Sequence, residues 1–123
     1  MTFAFQLAQA AQTDIVDILA WTHTGFGEAA RRRYEALLVT AFRDIAENPE
    51  RLGSQARPEL GEGVRSWHLR SSRDHARIDE GAVRRPRHFI IYRTDGPTTI
   101  TIGRILHDAM ELERHLPKGE GWE

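Results

Sequence analysis

The 123 residues carry a formal charge of −1, are 40% hydrophobic and 28% charged, and contain no cysteine. A chain of this length is expected to form one domain over 1–123, burying roughly two thirds of its unfolded surface. Disulfides and thiolate metal sites are excluded, no apolar run approaches the ~18 residues of a membrane span, and the N-terminus has no basic leader pattern, so a cytoplasmic protein without a membrane partner is expected.

The charge is unevenly placed. Residues 1–64 hold 6 Arg against 9 acids, residues 65–104 hold 9 Arg against 4 acids, and residues 105–123 hold 2 basic against 5 acidic residues. The middle stretch therefore has a net charge of +5 and can set up a local positive field. Lys118 is the single lysine. Arginine suits bidentate contacts to carboxylate or phosphate, although genomic base composition accounts for an arginine bias equally well.

In chain order, Phe3, Phe5 and Leu7 alternate with Ala4 and Gln6, which predicts a short first strand. A helix is predicted from about Ala10–Thr13 to Thr24, with Ile15, Ile18, Leu19 and Thr22 on one face. Gly25-Phe26-Gly27 supplies a turn, and a second helix runs from Glu28 to about Glu47. Its stripe comprises Ala30, Tyr34, Leu37, Leu38, Ala41, Phe42 and Ile45, while Arg31, Arg32 and Arg33 read as a solvated face. Asn48-Pro49 ends it. A polar loop over 50–63 leads to a strand at Val64–Leu69, and residues 71–85 read as a long, mobile hairpin connection.

The stretch from Pro86 to Leu116 organises the rest. Alternation from His88 to Arg93 and from Thr99 to Leu106 predicts a hairpin broken at Asp95-Gly96-Pro97, with Ile91 and Ile102 facing inward on adjacent strands. Asp108 with Glu111 forms a capping-box pattern for a closing helix, and 117–123 is expected to fray. The resulting order, β-α-α-β-β-β-α, indicates an α+β fold, an antiparallel sheet packed against an N-terminal helical hairpin.

These pieces, taken in order, resemble the RelE/ParE superfamily of bacterial type II toxins, and its ParE branch in particular. The resemblance is carried by TDIVDILAWTHTGFGEAARRRYEALL with its Ala-Arg-x-x-Tyr, the Pro-x-x-x-Gly loop of FRDIAENPERLG, then VRSWHL, RHFIIYR and ITIGRILHDAMELERHL. Residues Ser71 to Arg85 depart from it, since many relatives have a tighter hairpin there. The resemblance implies a growth-inhibiting toxin of the kind associated with plasmid stabilisation, neutralised by a cognate ParD-like antitoxin and acting as a DNA gyrase inhibitor. RelE-like relatives instead cleave messenger RNA on the ribosome, and one fold hosts both activities.

Under the gyrase reading no residue is catalytic. Arg65, Arg70 and Arg93 are then expected to meet antitoxin carboxylates, and Arg104 and His107 to meet the target. Under the nuclease reading Arg65, Arg93 and Arg104 stabilise charge while His107 or His68 transfers a proton. Arg93 and Arg104 are also placed to pair with acids such as Asp108. The six histidines show no HxH or HxxxH spacing, so no metal and no cofactor are expected. No nucleic-acid recognition motif is present, Trp67 and Tyr92 are the visible stacking candidates, and sequence-specific binding by the toxin alone is not expected.

Overall fold

The computed structural model describes residues 2–109. The expected closing helix and tail lie outside the described residues. A short strand β1 (Ala4–Leu7) leads into helices α1 (Gln9–Phe26) and α2 (Glu28–Glu47). Next come strands β2 (Gln55–Ala56), β3 (Val64–His68), β4 (His88–Asp95) and β5 (Thr99–His107), and the described residues form a five-stranded sheet in the order β1-β5-β4-β3-β2. The fold is α+β, as expected. Two details differ: a short strand, β2, lies within residues 50–63, expected to be a loop, and β1 pairs parallel to β5, Ala4 opposite Thr99 through Leu7 opposite Ile102, so the sheet is mixed. The two helices between β1 and the hairpin provide the crossover that a parallel pair requires.

Gly27, at φ 94°, joins the helices. This is a left-handed conformation that L side chains avoid. Every residue of the expected α2 stripe is buried, from Ala30 and Tyr34 to Ile45. Ile15, Ile18 and Leu19 of α1 pack beside them against Ile90, Tyr92, Ile100, Ile102 and Ile105 of the sheet. Ile91, Val64 and Leu106 form a second, smaller cluster with Leu60 and Phe89 on the opposite face. Ile91 and Ile102 therefore do not share a face, contrary to the sequence expectation.

The cause is a β-bulge. Ile91 pairs with Arg104 but its neighbour Tyr92 pairs with Ile102, leaving Gly103 without an opposite residue. One extra residue inverts the alternation, since side chains repeat every two residues along a strand. Ile105 consequently joins Ile102 on the helical face. Beyond Leu7 the edge of β5 loses its strand partner, and α1 takes over. The Ile105 N–H donates to Asp14 Oδ2 at 2.9 Å, and Arg104 makes a bidentate pair with the same carboxylate at 2.7 and 3.0 Å.

Residues 71–85, expected to be mobile, are tied down. The buried Asp44 carboxylate of α2 accepts from Ser72 Oγ at 2.5 Å, and its two oxygens each lie 2.8 Å from His75 Nε2. Trp67 Nε1 donates to Ser72 Oγ at 2.9 Å, which accounts for the burial of that indole. Ser72 and His75 both bond the carboxylate, so the group is an anchor and not a nucleophile–base relay. Further along, Arg73 Nε donates to the Val83 carbonyl at 2.6 Å and Arg33 Nη1 to the Glu80 carbonyl at 3.1 Å. No helix among the described residues is long and apolar enough to cross a membrane.

Candidate functional site

The tethered segment closes one wall of a cleft of about 910 Å³ against the ends of α1 and α2. Arg33, Arg73, Arg77, Arg84, Arg85 and Arg87 line it, with Glu80 as the lining acid. Trp21 and Phe26 on α1 form its aromatic side, with ring centroids 5.5 Å apart and exposures of 66% and 68%. The cleft thus joins exposed aromatic faces to a concentration of guanidinium groups. Sequence reasoning located the arginine excess but missed these rings, because α1 is about fifty residues away along the chain; their signal was two large rings outside the apolar stripe of α1.

At the end of the cleft, Tyr34, His88 and His107 meet. Tyr34 Oη accepts from the Arg87 backbone N–H at 3.3 Å, which leaves its own proton for His88 Nδ1 at 2.5 Å. Burial pushes the phenol up to about 12. Burial, reinforced by the neighbouring His107, brings His88 down to about 4. Both groups are therefore neutral near pH 7. The His107 ring stands edge-on to His88 at 5.4 Å, and its Nδ1 accepts the Ala109 N–H at 3.1 Å. Its Nε2 then carries the proton of the neutral ring.

Beside this group, Asp108 is gripped by Arg87 through Nε at 3.0 Å and Nη2 at 2.8 Å, and the carboxyl drops to about 2, chiefly because of that guanidinium. His68 Nδ1 accepts the Arg70 N–H at 3.1 Å, so its proton sits on Nε2 and is donated to Asp108 Oδ2 at 3.0 Å. Burial lowers His68, which makes the contact a neutral imidazole donating to a carboxylate already balanced by Arg87. No group of three His, Cys, Asp or Glu among the described residues is arranged to hold a metal ion.

The residues singled out from sequence are dispersed. Arg65 donates to Ser54 Oγ at 2.7 Å and lies 3.8 Å from Glu50. Arg93 pairs with Asp95 at 3.1 Å and Arg104 with Asp14, so neither takes Asp108 as its partner. Arg70 has an exposed side chain. Arg93 stands five residues along β4 from His88, which faces His107 in the ladder. At about 3.4 Å per residue, roughly 17 Å of strand separates the level of Arg93 from that of His107. The four nuclease candidates therefore do not converge on one point. Trp67 and Tyr92, expected to be available for stacking, are buried at 2% and 0% exposure.

Solved structures that share this fold include two toxin–antitoxin systems. A toxin–antitoxin complex, RelBE2 from Mycobacterium tuberculosis, aligns at a TM-score of 0.53 and 23% identity, over 87% of this chain and 99% of the other. A chromosomal ParDE system from P. aeruginosa aligns at a TM-score of 0.61 and 16% identity, over 86% and 96%. No curated protein matches the sequence. Residues 5–112 match the family described as the ParE toxin of type II toxin–antitoxin system, parDE, so the chain belongs to the ParE toxin family.

Proposed function

We propose that this toxin poisons DNA gyrase in the cytoplasm through protein–protein contacts and is neutralised by a cognate ParD-like antitoxin. The reading rests on the family match across residues 5–112. The dispersal of the nuclease candidates supports it, because phosphodiester cleavage needs an acid and a base within about 3 Å of the reacting oxygens. Both nitrogens of His68 are engaged, Nδ1 of His88 is engaged by Tyr34, and His107 is left as a proton donor on which the sequence-predicted arginines do not converge among the described residues. Antitoxin carboxylates meet Arg65, Arg70 and Arg93 in this reading, and the target meets Arg104 and His107.

The test is direct. Purified toxin added to gyrase and relaxed plasmid should block supercoiling and accumulate cleaved plasmid, and prior addition of the antitoxin should prevent both. Ribosome-bound messenger should stay intact. Messenger cut within codons, with gyrase unaffected, would overturn the proposal in favour of a ribosome-dependent mRNA interferase, the reading that the neighbouring His107 and cleft arginines favour.

A further inference from the structure

We propose that the cleft between α1 and residues 73–87 holds a single strand of nucleic acid, its phosphates on the arginines and one base on Trp21, without regard to sequence. The proposal concerns binding only; no bond is broken.

Three observations carry it. Six arginines and one acid line the cleft, although the whole chain has a net charge of −1, so the positive field is local to this wall. Some of those arginines are committed: Arg87 to Asp108, Arg73 to the Val83 carbonyl and Arg33 to the Glu80 carbonyl. Arg77, Arg84 and Arg85 are exposed and hold no ion pair or side-chain hydrogen bond among the described residues. A planar guanidinium with unspent donors suits a phosphate oxygen pair.

Next, Trp21 and Phe26 leave two thirds of their surface in water at the same cleft. Exposed rings beside a basic wall form the pairing by which single-stranded binders take backbone and bases together, and stacking tolerates any base. A purely acidic peptide would use the arginines and leave the rings idle.

Finally, the wall is pre-formed. The Asp44–Ser72–His75 anchor and the bond from Arg33 to the Glu80 carbonyl hold the 73–87 segment against α2, and the Ile78–Gly81 bridge closes a turn within it, so little ordering cost falls on binding. Most of the segment also falls within Ser71 to Arg85, where the sequence departs from the resemblance.

The experiment measures fluorescence anisotropy of labelled ten-nucleotide oligo-dT and oligo-U against the intact chain, from about 50 to 200 mM KCl. Three available arginines predict a log–log salt slope near −2, at about −0.7 per phosphate on single strands. R84A/R85A should flatten the slope by about 1.4. W21A should weaken binding about five-fold or more and leave the slope unchanged. Both changes fall on exposed side chains, and circular dichroism confirms the fold. Salt-sensitive binding to either oligonucleotide supports the proposal, and unequal affinities for dT and U identify the favoured polymer. Absence of salt-sensitive binding overturns it. So does binding indifferent to W21A, or a ten-residue poly-Glu peptide that binds as tightly as the oligonucleotides, which would make the cleft an acidic-peptide acceptor.

Discussion

Tyr34 on α2 and His88 at the start of β4 are locked by a 2.5 Å hydrogen bond from phenol to imidazole, with the phenol oxygen in turn accepting the Arg87 N–H. The pair fixes the second helix to the first residue of the organising hairpin, and it works only while His88 is neutral. The His88 pKa falls from 6.5 to about 4 on folding, mainly through burial. The unfolded chain thus takes up a proton below pH 6.5 that the native chain refuses, so stability is fully present above that pH and drains away as pH falls toward 4. At about 1.4 kcal/mol per unit, and allowing for partial contact with water, the loss is about 2–3 kcal/mol. Urea unfolding near pH 7, 5.5 and 4.5 should show it. Buried His68, shifted the same way, adds to the slope, so His88→Gln should remove most of the dependence and leave a remainder. A flat profile in the native chain would contradict the assignment.

Ile102 and Ile91 test the bulge. Each has 0% exposure, but Ile102 belongs to the helical-face core and Ile91 to the smaller cluster with Val64 and Leu106. Truncation to Ala should cost about 2–5 kcal/mol at either site. The two costs should add, within about 0.5 kcal/mol, because the side chains lie on opposite faces and share no cluster. Thermal and urea melts of both single variants and the double variant are the measurement. Strong coupling would restore the simple alternation in which the two residues are neighbours.

Much of this arrangement was readable from the residues themselves. The stripes of α1 and α2 depend on spacing within one helix, and proline and glycine mark where each helix ends; these are local signals. The bulge at Gly103 was not readable, because either register of Thr99–Leu106 presents isoleucines to the core, and only pairing with β4 decides between them. The parallel β1–β5 pair likewise depends on a partner about ninety-five residues away. Trp67 looked like a stacking platform because its partner, Ser72 bound to Asp44, is polar and gives no hydrophobic signature. The positions of Arg65, Arg93 and His107 followed from strand assignment, but their separation required the register.

Asp44 should govern the 69–87 segment. Asp44 is 6% exposed and its carboxylate receives Ser72, His75 and Arg51, the last at 3.4 Å. Asp44→Ala leaves those donors without their acceptor, at a cost of about 2–4 kcal/mol. Local opening should increase more than global unfolding, since the lost contacts belong to one segment. Brief trypsin digestion followed by mass spectrometry should therefore cut the variant after Arg77 or Arg84 many times faster than the parent chain. Equal cutting rates would mean that other contacts hold the wall.

Among the proposed antitoxin contacts, Arg70 gives the clearest answer. Arg65 and Arg93 already serve Ser54 and Asp95, so reversing their charge disturbs the fold as well as any interface. Arg70 has an exposed side chain with no ion pair among the described residues. Arg70→Glu should weaken an antitoxin complex about ten-fold or more, whereas Arg32→Glu on the outer helix face should change it less than two-fold, in line with the small worth of exposed charges. Calorimetric titration of both variants decides. If the helix-face change is the more damaging, the interface lies on α2.

His107 separates the two mechanisms. Its Nδ1 is occupied by the Ala109 N–H, its ring is 5.4 Å from the committed His88, and Arg93 lies far along the ladder. In a nuclease using this residue as acid or base, His107→Ala should lower cleavage by about 10²–10⁴ and abolish growth inhibition. In a gyrase poison it removes one contact among several, and single contacts away from a hot spot cost less than about 1 kcal/mol, or five-fold. Partial exposure of the side chain makes folding of the variant expected, and the urea midpoint checks it. Induced expression without antitoxin should then still arrest growth, with cleaved plasmid accumulating in vitro within five-fold of the parent. Complete loss of toxicity in a folded variant, together with intact gyrase activity, would transfer the assignment to RNA cleavage.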